Sequence, residues 1–125
     1  MDNVGTDIIE VARIEKLIKE KGNKFLNKIY TQKEIDYCES KGPNKYQHYA
    51  GRFAAKEAII KAWQGPQGAI NMKKIEITNT RGGKPVALLD CNPAFYESIQ
   101  ISISHIKDYA TATALIDNGV HIRYY

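Results

Sequence analysis

Asp7, Glu57 and Lys61 are the side chains whose types and placement could do metal and phosphate chemistry together. Asp7 stands near the end of a short apolar stretch, and Glu57 and Lys61 stand four apart in a segment with few breakers. Residues four apart on a helix share a face, so this carboxylate and this ammonium point the same way. As an ordinary helix salt bridge the pair would contribute only about 0.3–0.5 kcal/mol. On a buried helix it could hold Mg²⁺ and an adjacent phosphate. Mg²⁺ takes one or two protein carboxylates and completes its octahedron with phosphate oxygens and water.

Ser102, Ser104 and His105 end an Ile-rich stretch. A serine beside a histidine could suggest a hydrolase, but the chain has no Gly-x-Ser-x-Gly elbow. Adjacent Ser104 and His105 also face opposite ways if the strand continues through them. Gly82-Gly83-Lys84-Pro85 reads as a hairpin turn and lacks the Walker pattern.

The elements that must position these residues follow from periodicity. Asn3 to Ile9 reads as a strand, with Val4, Ile8 and Ile9 apolar. Val11, Ile14, Leu17 and Ile18 follow at helical spacing, with Gly22 as the stop. Phe25, Leu26 and Ile29 make a second short apolar face. Thr31 and Glu34 fit a capping box, which starts a helix at Gln32. Gly42-Pro43-Asn44 is a turn. Tyr46 to Trp63, closed by Gly65-Pro66, is apolar on more than one face, which predicts a helix in the middle of its domain. Its charges Arg52, Lys56, Glu57 and Lys61 then need partners or a ligand.

The second half reads as sheet. Lys73–Thr80 and Pro85–Leu89 form a hairpin around Arg81-Gly82-Gly83. Ser98–Ser104 and Tyr109–Ile116 are further strands, and Val120–Tyr125 is one more strand or a packed tail. The fold class is α+β, with helices mainly in the N-terminal half packed on a largely antiparallel sheet.

A chain of 125 residues predicts a single domain over residues 1–125. Cys38 and Cys91 fit no metal or redox spacing and read as reduced thiols. The N-terminus does not read as a signal peptide, and no apolar run approaches a membrane span, so a cytoplasmic protein without membrane contact is expected. Net charge is +4, from 18 Lys and Arg against 14 Asp and Glu. That excess suits an acidic partner or a phosphate-bearing ligand and is weak for a dedicated nucleic-acid binder. It is concentrated at Arg13, Lys16, Lys19, Lys21, Lys24, Lys28 and Lys33, which on composition alone would be a solvated helix face.

Singly these motifs are weak, but their order is specific. Gly5-Thr6-Asp7-Ile8-Ile9-Glu10-Val11-Ala12-Arg13-Ile14 resembles the first motif of the holo-[acyl-carrier-protein] synthases. Those enzymes are the short branch of the 4′-phosphopantetheinyl transferase superfamily. Gly51 to Ala62, containing Phe53, Lys56-Glu57-Ala58 and Lys61-Ala62, resembles their helical Phe-x-x-Lys-Glu-Ala-x-x-Lys-Ala signature. Gly83-Lys84-Pro85 and Ser102-Ile103-Ser104-His105 are similar to two further family segments in the right order. The resemblance runs from Gly5 to about Ile116 and does not reach the tail after Asn118.

The resemblance implies a 4′-phosphopantetheinyl transferase fold and transfer of the phosphopantetheine arm of coenzyme A to a serine of apo-acyl carrier protein, for fatty acid biosynthesis. Asp7 and Glu57 would hold Mg²⁺ against the pyrophosphate, and Lys61 and His105 would bind phosphate oxygens. The serine would attack the β-phosphate and 3′,5′-ADP would leave. Its proton would go to Asp7 or to a metal-bound water that Asp7 orients. Arg52, Gly83, Lys84, Pro85 and Ser104 would join Lys61 and His105 around coenzyme A. Arg13, Lys21, Lys24 and Lys28 would receive the acidic carrier protein. Longer relatives place a third metal carboxylate where this chain has Ile9. They also resemble two copies of this unit, so a single copy is expected to form a homotrimer with shared sites. The competing readings are a broad-specificity transferase for peptidyl carrier domains, a small basic nucleic-acid-binding domain and a catalytically silent relative. The intact Asp7, Glu57, Lys61 and His105 oppose the last.

Overall fold

The computed structural model describes residues 2–63, 70–89 and 99–117. Cys91, the Gly65-Pro66 stop, Ser98 and Val120–Tyr125 lie outside the described residues.

Strand β1 (Asp2–Glu10) runs directly into helix α1 (Val11–Lys21). Helices α2 (Asn23–Ile29) and α3 (Gln32–Glu39) follow, then a 3-10 turn at Gly42–Asn44 and the long helix α4 (Lys45–Ala62). The second half holds a 3-10 turn at Met72–Lys74 and strands β2 (Ile75–Asn79), β3 (Pro85–Leu89), β4 (Ile99–His105) and β5 (Tyr109–Asp117). All pairing among the described residues is antiparallel. It forms a three-stranded sheet in the order β1-β5-β4 and a separate β2–β3 hairpin. Among the described residues the expected antiparallel sheet is therefore two pieces.

Local chemistry accounts for the breaks. Gly22 ends α1 with φ of 55°, a left-handed value glycine adopts freely, and its N–H reaches Ile18 O. The predicted capping box starts α3: Glu34 N–H donates to Thr31 Oγ1 at 3.3 Å, and Thr31 N–H donates to Glu34 Oε1 at 2.8 Å.

Helix α4 lies across the inner face of the sheet, against β1, β5 and β4. Ala54, Ala55 and Ala58 are buried on it, as are Ala110, Ala112 and Ala114 on β5. These small side chains permit a close helix–sheet approach. Ile14, Ile59, Ile75 and Ile77 fill the remainder of the core, with Tyr30, whose hydroxyl donates to Tyr49 O at 2.8 Å. Cys38 is a free, buried thiol, and burial pushes its pKa up to about 12, against the opposing pull of Arg52. No helix among the described residues is long and apolar enough to cross a membrane.

Candidate active site

The first motif meets the second through a missing side chain. A Cβ on Gly5 would lie 2.0 Å from Ala58 O, so only glycine lets β1 press onto this turn of α4. That approach brings Asp7, two residues along β1, to Lys61: Nζ donates to Asp7 Oδ1 at 3.2 Å and to Thr6 O at 2.9 Å. Lys61 thus pairs with the strand and not with Glu57, which corrects the simple helix salt bridge as a reading of Glu57 and Lys61. Glu57 is half-buried on the same stretch of α4 and forms no ion pair among the described residues. Ile9, in the position of the third carboxylate of longer relatives, is buried in the core.

A second cluster forms at the other end of α4. Gly51 lacks the Cβ that would approach Ile103 Cγ2 to 3.0 Å and His105 Cδ2 to 4.0 Å, so the end of β4 rests on the helix there. His105 Nδ1 lies 2.9 Å from Gln47 Oε1, and its ring meets that of His48 at 4.9 Å between centroids. Arg52 is only 4% exposed. Its guanidinium stacks on Tyr37 at 4.0 Å, and Nη2 donates to Asn79 Oδ1 at 2.8 Å. Asn79 in turn donates to Gly83 O at 3.0 Å, which fixes the β2–β3 turn beside Arg52. Among the described residues, Arg52 Nε is buried without a hydrogen-bond partner. Arg52, Gly83, Pro85 and His105 line one cleft with Tyr37, His48 and Asn79.

Four of the predicted site residues therefore converge here, while Asp7, Glu57 and Lys61 sit elsewhere. Asp7 pairs with Ala112, which pairs with Ile103, so Asp7 is two strands away from β4. At ordinary strand spacing its backbone is about 12 Å from that of His105, and Gly51 and Lys61 are about 15 Å apart along the helix. Helix α4 fills the space between. Ser104 is exposed on the sheet face opposite His105, because β4 continues through both. Lys84 is exposed at the turn. The cleft is about 130 Å³, below the roughly 300–1,000 Å³ typical of small-molecule pockets.

Arg13, Lys21, Lys24 and Lys28 are all exposed on α1 and α2 and form no ion pair among the described residues. Lys16 and Lys19 are instead turned toward Glu20 and Glu15 of their own helix.

Residues 3–114 match the family model of the 4′-phosphopantetheinyl transferase superfamily. The chain belongs to that superfamily. Within it, the chain is 46% identical to a holo-[acyl-carrier-protein] synthase of Ruminiclostridium cellulolyticum, covering 93% of this chain and 92% of the relative. It is 44% identical to the synthase of Thermodesulfovibrio yellowstonii over 93% of this chain and 98% of that one. Among solved structures, the Bacillus anthracis synthase in complex with coenzyme A (3′,5′-ADP) superposes with a TM-score of 0.72 at 34% identity, covering 91% of this chain and 94% of that one. The Helicobacter pylori synthase in complex with coenzyme A gives 0.73 at 29% identity, covering 91% and 99%. These neighbours bear out the α+β transferase fold expected from the motifs.

Four features of the candidate site were missed in the sequence. Tyr37, Gln47, His48 and Asn79 belong to none of the motifs that carry the resemblance, and only the tertiary fold gathers them around Arg52 and His105.

Proposed function

We propose that this protein transfers the 4′-phosphopantetheine arm of coenzyme A to a serine of apo-acyl carrier protein, giving holo-acyl carrier protein and 3′,5′-ADP. The observation that carries the reading is the Asp7–Lys61 contact, which joins the two most specific family motifs at one surface. The names of the curated relatives and the coenzyme A complexes of the solved neighbours support it.

The donor chemistry fits Mg²⁺. Asp7 and Glu57 are hard oxygen donors brought to one part of the molecule by the Gly5–Ala58 approach. Mg²⁺ takes one or two protein carboxylates and keeps its other positions for phosphate and water, which two such donors would suit. When bound, Mg²⁺ supplies positive charge against the pyrophosphate. Lys61, half-exposed, can leave Asp7 for a phosphate oxygen and offset charge as the phosphoanhydride bond between the β-phosphate and the departing 3′,5′-ADP breaks. Asp7 is then left to orient the serine hydroxyl and take its proton, directly or through one water. Arg52, His105 and the Gly83–Pro85 turn hold the nucleotide end.

These two clusters are separate within one chain, and α4 stands between them. A site completed by a neighbouring copy, in a homotrimer, accounts for both facts. The outer face of the sheet supports an assembly: Val4 is 66% and Ile8 67% exposed, beside Leu115 and Tyr109. The exposed Arg13, Lys21, Lys24 and Lys28 are the dock for the acidic carrier protein.

The test is mass spectrometry of apo-acyl carrier protein incubated with this protein, coenzyme A and Mg²⁺. A serine-linked phosphopantetheine mass gain, abolished by chelation and restored by Mg²⁺, is the expected result. No gain with acyl carrier protein, but a gain with a peptidyl carrier domain, would move the substrate to secondary metabolism.

A further inference from the structure

The cleft around Arg52 gathers cationic and protonatable groups without a counter-ion. No carboxylate is among its described lining residues. Arg52 is buried, its Nη2 is held by Asn79, and its Nε has no partner among the described residues. A buried guanidinium N–H with no acceptor is costly unless a ligand supplies one. His48 and His105 stand face to edge at the same cleft.

His48 faces charge or protonatable groups from several elements packed around it. Tyr37 meets its ring from α3 at 5.7 Å between centroids, and His105 meets it from β4. Lys41, after α3, and Arg52, on α4, act on it as positive charges. The β2–β3 hairpin contributes the uncharged Asn79, Gly83 and Pro85. With only these protein groups around it, a proton on His48 would therefore be desolvated and repelled, which agrees with a pKa lowered to about 4 by burial first and by His105, Lys41 and Arg52 after it. A phosphate monoester carries close to two negative charges near neutral pH and reverses that balance. Once it accepts from Arg52 Nε, the same imidazole has an anion beside it and gains by charging.

We propose that His48 is a further nucleotide-binding residue, which takes a proton from solvent as the 3′-phosphate monoester of coenzyme A enters the Arg52 cleft. The inference rests on the reading of this cleft as the nucleotide end of the site. It makes coenzyme A binding by this chain proton-linked, with one imidazole and one solvent proton giving one imidazolium that pairs with the dianion. His105 is held differently from His48: its Nδ1 lies 2.9 Å from Gln47 Oε1.

Titration calorimetry with 3′,5′-ADP, in buffers of differing ionisation enthalpy, counts the protons directly. The wild-type protein should take up roughly half a proton per nucleotide near pH 7 and bind more tightly as pH falls from about 8 to 6.5. His48→Phe and His48→Gln should both bind with little uptake and a flattened pH dependence. The Gln variant keeps polarity and guards against a packing defect in the Phe variant. Equal proton counts in wild type and both variants overturn the proposal while leaving the nucleotide cleft intact. Equal His48-dependent uptake with dephospho-coenzyme A, which lacks the monoester, overturns the assignment to the 3′-phosphate. No binding of 3′,5′-ADP to the wild-type protein overturns both this inference and the nucleotide reading.

Discussion

Lys56 Nζ lies 2.6 Å from Glu34 Oε1, and neither side chain is exposed. Lys56 also donates to Ile29 O at 2.7 Å and Met72 O at 3.0 Å, while Glu34 Oε2 accepts from Ile77 N–H at 2.7 Å. One ion pair thus ties α4 to the end of α2, to α3 and to β2. Burial pulls the Lys56 pKa down, and Glu34 opposes that pull. Lys56 immediately precedes Glu57, so this junction also fixes the turn of α4 that carries the candidate metal ligand.

Removing one partner leaves the other charge buried and uncompensated. Glu34→Ala should lower the unfolding free energy by about 3–5 kcal/mol. It also deletes the reciprocal cap of α3. The double variant Glu34→Gln/Lys56→Met should recover a substantial part of the loss. Urea unfolding of the three proteins measures this. A Glu34→Ala cost under about 1 kcal/mol would show that water reaches the pair and that it is not the junction described.

Gly5→Ala should damage stability and turnover together. Its Cβ would sit at 2.0 Å from Ala58 O, and the obstacle is backbone, so β1 must withdraw from α4. Overpacking of this kind costs about 1–3 kcal/mol. The withdrawal parts Asp7 from Lys61, so turnover at saturating coenzyme A should fall more than stability at assay temperature explains. Wild-type turnover from a fully folded Gly5→Ala protein would separate the glycine from the site.

The capping box at Thr31 and Glu34, the burial of α4 and the hairpin at Gly83 were legible because each is written in local spacing. Asp7, Glu57 and Lys61 were legible as motif members. What was not legible is tertiary. Helical spacing offered Glu57 as the partner of Lys61, but β1 delivers Asp7 and Thr6 O to the same ammonium. Glu34 showed its capping role and hid its buried one. Gly51 was named only as the start of the helical signature, whereas its missing Cβ makes room for Ile103 and His105. Tyr37, His48 and Asn79 come from three different elements, and no spacing links them.

Acid should destabilise the protein through His48. Its folded pKa of about 4 lies below the ordinary 6.5. The unfolded chain therefore binds the proton first, and stability present above about pH 6.5 is lost progressively as pH falls toward 4. The group is partly solvated, so the loss is smaller than the full shift implies. His48→Phe should flatten the dependence of urea midpoint on pH in this window relative to wild type. Parallel curves would mean that His48 titrates alike in both states.

Carrier-protein docking should depend on the free cations of α1 and α2. Arg13→Glu and Lys24→Glu should raise the KM for acyl carrier protein more than that for coenzyme A, because they alter electrostatic association at an exposed rim. Salt should shrink the difference, since such charges are screened beyond about 8 Å at physiological ionic strength. Lys19→Glu makes a useful contrast: Lys19 already holds Glu15 at 2.6 Å. If both reversals leave carrier-protein KM unchanged at low salt, the dock lies elsewhere.

Mixing two defective proteins tests whether the sites are shared. Glu57→Gln keeps the shape of the candidate metal ligand and removes its charge. A loss of about 3 kcal/mol of transition-state stabilisation would lower turnover roughly a hundredfold. His105→Ala removes a ligand contact from the other cluster. Each variant alone should be nearly inactive. If each site takes Asp7, Glu57 and Lys61 from one subunit and Lys84, Ser104 and His105 from the next, a mixed trimer contains one interface where both substitutions fall together. Another interface in the same ring then carries neither. Random co-assembly at equal amounts should restore about a quarter of wild-type activity, the chance that an unmodified Glu57 meets an unmodified His105 around a closed ring. Joint purification on two different tags would establish that mixed trimers form. A site built within one chain predicts no recovery at any ratio, because every subunit carries one of the two defects, and that result in verified mixed trimers would remove the shared-site reading.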